Sequence, residues 1–564
     1  MSQDTSPTYR VLAHDIKNLG VDCVFGLMSD DTAMFATELD VIGVDFHGAR
    51  HENSAIAMAE GYAAASGQIG VAVIGRGPAA ANGLHAAISA SRTGSKVLII
   101  YGEAPVSGGV VNGIGPDYKA FNSRGVMEAA GLQSFFPTSP QGARAALTDA
   151  VAIAARGHAV TLHLPTNVQL SEMIVRSDDL VPVVPDATPP LPARDQTIAA
   201  VADVIADSKR PVILAGMGAH LAGAGPALEQ LADRIGALLA TSARGKDLFR
   251  DHPSNLGIIG SFSHSAGRRY MEQADCVLVF GAALNFLTMS FGASFPPVPL
   301  VHVDRSRSHI GRYTEADLAV VGDARLVAEQ LIAAVPDRKS DDKPFRANPI
   351  QSELGSFEIS SDFQPANTAR TIDPRSLALE LDQLLPADRN LVYDAGNFLG
   401  VVPYLRTPGP GHFKMTNEFA SIGLGFGTAL GFAKARPEAT TVLIIGDGAF
   451  VMTMSELETA AREDINIVVI VMNDCAYGAE LHLLRAHQQP VEKSLFPDVD
   501  FAPVAAAFGF EVATIRSLDD LAATGHLLQN PQGPVFLDCK INAEIAAPFM
   551  GEFAAFEQRN QLEA

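Results

Sequence analysis

The stretch from Gly446 to Gly478 constrains the fold of this chain more than any other. An apolar run, Val442-Leu443-Ile444-Ile445, ends at Gly446-Asp447-Gly448-Ala449-Phe450, and a helical stretch rich in acids follows from Met454 to Arg462. A second apolar run, Ile467 to Met472, ends at Asn473-Asp474-Cys475-Ala476-Tyr477-Gly478. Short apolar runs bounded by turn residues, with a helix between them, read as a βαβ unit. Carboxylates then stand at the carboxyl ends of both strands, where open parallel sheets collect their ligands. Two hard oxygen ligands beside glycine-exposed backbone amides suit Mg²⁺ carrying a diphosphate. The plainer reading is an ordinary βαβ turn with an Asp cap.

The rest of the chain repeats the alternation. Strands are expected at Val21–Gly26, Val71–Ile74 and Lys96–Tyr101, with helices over Glu52–Ala65 and Ala79–Ser91. A second block has strands at Pro211–Ala215, Cys276–Phe280 and Leu300–Val303, and Leu391-Val392-Tyr393 opens a third. The fold class expected is therefore α/β, three doubly wound parallel-sheet domains. Their boundaries are read as 1–182, 193–336 and 371–564. A proline-rich linker, Val181 to Pro192, and a charged, turn-rich connector over 337–370 separate them, and the third carries a C-terminal tail that reads as a helix.

Charge excludes some function classes. With 41 Lys and Arg against 63 Asp and Glu the chain carries a formal −22, which offers nothing to nucleic-acid phosphates or to an anionic membrane surface. Four scattered cysteines, Cys23, Cys276, Cys475 and Cys539, form neither a CxxC nor a disulfide framework. The N-terminus carries no basic, apolar signal, so a cytoplasmic location is expected.

The Gly-Asp-Gly turn, followed some two dozen residues later by a pair at Asn473-Asp474, resembles the diphosphate-binding motif of thiamine-diphosphate (ThDP) enzymes. The order of the three blocks is similar to the pyrimidine-binding, central and diphosphate-binding domains of the superfamily of pyruvate decarboxylase, acetolactate synthase and benzoylformate decarboxylase. The resemblance makes Asp447, Asp474 and the backbone carbonyl of Ala476 the Mg²⁺ ligands. Asp474 stands where the family has Asn, and the added charge should tighten the metal while repelling the diphosphate. Gly446, Gly448, Ala449, Phe450 and Tyr477 are implied around the cofactor, and so is Asn397, in the loop Asp394-Ala395-Gly396-Asn397-Phe398.

Two further segments carry the resemblance. Gly48-Ala49-Arg50-His51-Glu52-Asn53 opens a helix where the family places the acid that shares a proton with the pyrimidine, and Glu52 is that candidate. In Asn417 to Gly427, Ile422 matches the aliphatic residue wedged between the two cofactor rings, and the Ala420 carbonyl matches the acceptor of the 4′-amino group. The Gly-x-Gly-x-Gly within it does not read as a dinucleotide fold, because no strand is expected to lead into it.

On the substrate side, Asp30 and Glu480 fall where pyruvate decarboxylases keep catalytic acids, and Asn122 where acetolactate synthases have Gln. Gly77-Pro78-Ala79-Ala80-Ala81-Asn82 resembles a family loop. Arg76 beside it is read either as meeting an acidic substrate or as a surface ion pair. The chain has no Trp, and Leu284-Asn285-Phe286-Leu287 replaces the segment whose arginine holds the acceptor carboxylate in acetolactate synthases. FAD has no positive signal. The resemblance implies a ThDP- and Mg²⁺-dependent enzyme acting on a 2-oxo acid, by decarboxylation with aldehyde release or by carboligation. Acetolactate synthesis and hydrolysis of a diketone are the alternatives. It also implies a homodimer or homotetramer with the site between subunits.

Overall fold

A computed structural model describes residues 4–106, 118–175, 182–185, 188–293, 295–339 and 342–563. β1 (Asp4–Pro7) pairs antiparallel with β8 (Glu172–Val175), a two-stranded ribbon of one polar strand, Asp-Thr-Ser-Pro, and one short strand, Glu-Met-Ile-Val. Between them β2 (Cys23–Gly26), β3 (Asp45–Gly48), β4 (Gly70–Ile74), β5 (Val97–Glu103), β6 (Gln133–Phe135) and β7 (Val160–Pro165) form a parallel sheet ordered 3-2-4-5-7-6. The central sheet holds β9 (Pro211–Ala215), β10 (Leu238–Thr241), β11 (Asn255–Ile258), β12 (Cys276–Phe280), β13 (Leu300–Asp304) and β14 (Leu318–Val321), ordered 11-10-9-12-13-14. The third holds β15 (Arg389–Tyr393), β16 (Phe413–Met415), β17 (Thr440–Gly446), β18 (Ile467–Asn473), β19 (Glu511–Ile515) and β20 (Val535–Lys540), ordered 16-15-17-18-20-19. The three-domain α/β architecture is the expected one.

Three local expectations differ. The helix expected over Ala79–Ser91 is two, Pro78–Asn82 and Leu84–Thr93, with Gly83 between them packed so close to Ile56 that a Cβ would lie 2.7 Å from it. The acids after Gly-Asp-Gly also lie on two helices, Asp447–Thr453 and Glu456–Arg462. A strand, β16, does lead toward the glycine-rich segment, contrary to expectation. Its three residues, Phe-Lys-Met, contain no apolar run to betray it. The linker over 181–192 lies partly outside the described residues. The connector over 337–370 contains a short helix, Asn348–Gly355, and the tail is a helix, Pro548–Glu563.

The first and third domains meet through two helices, Glu52–Ser66 and Gly425–Ala435, and share one continuous apolar core. Their backbones touch. A Cβ at Gly61 would lie 2.0 Å from the Thr428 carbonyl oxygen, and one at Gly431 would lie 1.9 Å from that of Met58. Overpacking of this kind typically costs about 1–3 kcal/mol or more, against a helix-propensity gain of about 1 kcal/mol for Gly to Ala. Gly61→Ala is therefore expected to lower the thermal midpoint by several degrees. Gly551→Ala, in the Pro548–Glu563 helix with no neighbour within 4 Å, should leave it unchanged or raise it. Calorimetry on the two variants checks this.

Candidate functional site

In a doubly wound sheet the ligand crevice opens where successive connections diverge to opposite sides. In the third sheet that point lies between β15 and β17. Asp394 follows directly on β15 and Asp447 on β17, while the parallel register Gly446↔Met472 brings Asp474, just past β18, alongside Asp447. Burial pushes the Asp447 carboxyl up to about 6. It also raises Asp474 well above the usual carboxylate range, and Asp447 next to it pushes the same way. Like charges buried side by side ask for a cation.

The surroundings fit a metal-borne diphosphate. A Cβ at Gly448 would meet the Tyr477 ring at 2.8 Å, and one at Gly478 would lie 2.4 Å from Asp474 Oδ2, so backbone lines the cradle. Asp474 Oδ1 accepts the Ala476 amide at 3.2 Å, and Cys475 takes φ +56° to make that turn. No backbone N–H of the described residues donates to the Ala476 carbonyl, which leaves it open as a further ligand. Among the described residues no group of three or more His, Cys, Asp or Glu side chains gathers. Two carboxylates and a carbonyl, all oxygen, suit Mg²⁺, which completes its shell with water and phosphate.

The loop above this cradle is tied down by Asp394, which sequence reasoning did not single out. Wholly buried, it accepts the amides of Gly423 at 3.1 Å and Gly425 at 2.8 Å, and burial lifts its carboxyl to about 6. An acid placed directly after an apolar strand was the available signal. Ile422, just before these glycines, lies 4.0 Å from where a Gly448 Cβ would be. Ala420 is exposed and held at φ +50°, uncommon for a residue with a Cβ.

Glu52 begins the helix that crosses Gly425–Ala435 and is 8% exposed. Asn82 Nδ2 donates to its Oε2 at 3.1 Å, and the adjacent Asn53 reaches the Gly423 carbonyl at 3.4 Å. His85 Nε2 lies 2.5 Å from Ser421 Oγ. Glu456, also missed, is fully buried and accepts the Arg50 amide at 3.2 Å. These contacts set the first domain against the 420–425 loop and place Glu52 at the junction of the first and third domains.

Other candidates stand differently. The Asn397 carboxamide holds the tail segment, donating to the Ile545 carbonyl at 2.8 Å and accepting the Ala547 amide at 2.8 Å. Phe450 is fully buried against Phe501 and Phe536, and Ala449 is likewise buried. These two offer the crevice backbone only. Asn122 is exposed and caps the Ser123–Ala129 helix, accepting the Gly125 amide at 3.0 Å. Glu480 is exposed in the first turn of Gly478–Ala486. Asp30 pairs with Lys119, which holds its carboxyl below the usual range and keeps it ionised at neutral pH.

The aspartate pair has a stability consequence. A carboxyl whose folded value is raised from 3.8 to about 6 costs nothing while protonated in both states. Its penalty grows between those two values and is complete above the higher, at about 3 kcal/mol. The metal-free protein should lose stability as pH rises from 4 to 6. Mg²⁺ with the diphosphate cofactor should restore more at pH 7.5 than at pH 5, with about 2.7 kcal/mol gained at a hundredfold excess over Kd. Thermal melts at the two pH values, with and without Mg²⁺, measure it.

Comparison with known proteins agrees with this geometry. The family description "Thiamine pyrophosphate enzyme, N-terminal TPP binding domain" matches residues 8–120, the central domain of the same family matches 198–331, and its C-terminal TPP binding domain matches 394–539. A probable acetolactate synthase large subunit of Methanocaldococcus jannaschii is 28% identical over 89% of this chain and 86% of its own length. A sulfoacetaldehyde acetyltransferase of Castellaniella defragrans is 27% identical over 92% and 90%. A probable 2-ketoarginine decarboxylase of Pseudomonas aeruginosa is 27% identical over 92% and 91%. Among the described residues no helix is long and apolar enough to cross a membrane.

Proposed function

The chain belongs to the thiamine-diphosphate-dependent enzymes of the pyruvate decarboxylase, acetolactate synthase and benzoylformate decarboxylase superfamily, and on that premise we propose that it decarboxylates a 2-oxo acid using ThDP and Mg²⁺. The observation that carries the reading is the adjacent pair Asp447 and Asp474 at the β15/β17 crevice, whose carboxyls are both raised, with Glu52 heading the first-domain helix that packs on the third domain. When bound, ThDP supplies the electron sink that makes a bond beside a carbonyl breakable.

The residues divide the remaining work. Asp447, Asp474 and the Ala476 carbonyl hold Mg²⁺, and Gly446, Gly448 and the amides of Ala449 and Phe450 receive the diphosphate, with Tyr477 closing the side. Ile422 would support the cofactor's two rings, and the Ala420 carbonyl would accept from its amino group. Asn397 supports the diphosphate loop by tying it to the tail. Glu52 passes a proton to and from the pyrimidine N1′, held in place by Asn82. Asp30, ionised beside Lys119, acts as a proton acceptor or orienting charge, Glu480 serves as a donor, and Asn122 lines the substrate side.

A homodimer, or a tetramer of paired dimers, with the site between subunits is part of the proposal. Val451 and Met452 on the helix that begins with Asp447, and Met454 just past it, are 49%, 58% and 42% exposed, and a second copy of the chain would cover them. The four cysteines are free, which suits a reducing cytoplasm. A second reading, in which the intermediate left by CO₂ loss is captured by a second carbonyl compound rather than protonated to an aldehyde, is favoured by the M. jannaschii and C. defragrans relatives.

A panel of 2-oxo acids tests the proposal, with CO₂ release and ligated products followed separately. CO₂ release that needs both ThDP and Mg²⁺ is the expected result. Ligated product in place of aldehyde would favour the second reading, and neither CO₂ nor ligated product from any member would overturn the proposal.

A further inference from the structure

The first sheet has its own diverging point, between β2 and β4, and four charged side chains gather there. Arg76, just past β4, is 6% exposed, far from the surface ion pair that the sequence allowed. Its Nε lies 2.8 Å from Asp31 Oδ1 without making a hydrogen bond, and its backbone amide donates to Asp31 Oδ2 at 3.2 Å. The terminal amino groups of the guanidinium have no hydrogen-bond partner among the described residues. Lys119 Nζ reaches Asp31 Oδ2 at 3.2 Å and Ser29 Oγ at 3.4 Å, and it pairs with Asp30. Ser29 Oγ in turn donates to Asp30 and Asp31.

The backbone is bent to make this arrangement. Lys119 takes φ +54°, and its carbonyl packs so closely on Gly77 that a Cβ there would lie 2.7 Å from it. Such a conformation is strained for a residue with a Cβ and persists where surrounding structure imposes it. The Tyr118 ring lies 5.8 Å from the Arg76 guanidinium and 5.7 Å from the Lys119 ammonium.

From this we infer that Arg76 and Lys119 form an anion-docking subsite, which receives a carboxylate, sulfonate or phosphate group carried by the carbonyl substrate beyond its reacting end. The subsite rests on the function proposed above and names its substrate class. Asp31 is a built-in counter-ion, buried and facing both cations. Asp30 is a removable one, because its side chain is 58% exposed. One buried carboxylate against two cations leaves a surplus positive charge, which among the described residues this exposed carboxylate balances. A guanidinium with free terminal N–H groups offers the two parallel donors that oxyanions take. The place is right as well. The helix Pro78–Asn82 leads from Arg76 to the Asn82 that holds Glu52, and five helical residues span roughly 7.5 Å.

The test needs no turnover. Calorimetric titration of the full-length, ThDP- and Mg²⁺-loaded enzyme with butyrate, butane-1-sulfonate and propyl phosphate, beside uncharged 1-butanol, separates the three oxyanion classes. At least one anion should bind once per chain, while 1-butanol should not bind. Arg76→Gln should weaken that binding tenfold or more and Lys119→Gln severalfold, whereas Asp30→Asn should tighten it severalfold. A purely structural ion cluster would show none of this tightening. Circular dichroism confirms folding, and should Arg76→Gln fail to fold, Lys119→Gln and Asp30→Asn carry the test at exposed or half-buried positions. The inference is overturned if no anion binds better than 1-butanol, if a folded Arg76→Gln binds like the unaltered protein, or if Asp30→Asn leaves affinity unchanged. A failed decarboxylation panel alongside intact anion binding would count against the proposed reaction alone.

Discussion

Glu52→Gln is expected to give a folded protein that still binds ThDP and Mg²⁺ but turns over two to four orders of magnitude more slowly, the range about 10²–10⁴ associated with one positioned acid–base group. The change keeps the volume and shape of the side chain. The amide oxygen of Gln can accept the Asn82 hydrogen bond that Glu52 Oε2 accepts now, so the anchor survives while the exchangeable proton of a carboxyl is lost. Burying a neutral amide in place of a carboxylate does not cost stability, and the thermal midpoint should hold or rise. Rates of CO₂ release, cofactor titration and melting together separate these effects. Undiminished turnover in the Gln variant would remove Glu52 from the chemistry.

Asp447→Asn is expected to act in opposite directions on stability and on function. In the cofactor-free protein it removes one of two buried like charges. At pH 7.5 the variant should therefore melt higher than the unaltered chain, by up to the roughly 3 kcal/mol that the raised carboxyl costs, and its melting should depend less on pH between 4 and 6. Mg²⁺ affinity should fall a hundredfold or more, because a divalent ion loses one of its two charged ligands, and ThDP binding and turnover fall with it. Melting curves with and without Mg²⁺ show both effects in one experiment. A variant stabilised by Mg²⁺ as strongly as the original would place the metal elsewhere.

The fold was legible where burial leaves a mark in one dimension. β17 and β18 are buried on both faces and read as unbroken apolar runs. β16 and β1 carry no such run and β8 carries only three apolar residues, Met173-Ile174-Val175, and none of the three was read. In the site, Asp447, Asp474 and Glu52 stood out because each sits at a fixed place in a local motif. Asp394 and Lys119 were not singled out, since what distinguishes them is partners distant in sequence: the Gly423 and Gly425 amides for one, Asp30 and Asp31 for the other. Phe450 was read as a cofactor residue from adjacency to the Gly-Asp-Gly turn, and Asn397 from the resemblance of its loop. Sequence position does not reveal that one side chain turns into the core and the other grips the tail.

The contact of bare backbones between Glu52–Ser66 and Gly425–Ala435 has a consequence for how this protein can change. Side chains can rotate to absorb an error, but main-chain atoms already touching cannot. The spacing between the acid at the head of one helix and the isoleucine loop ahead of the other is thus set like a mechanical stop. Thermal breathing of the two outer domains moves both ends together, and mutational drift at the three glycines of the crossing, Gly61, Gly427 and Gly431, has almost no neutral directions.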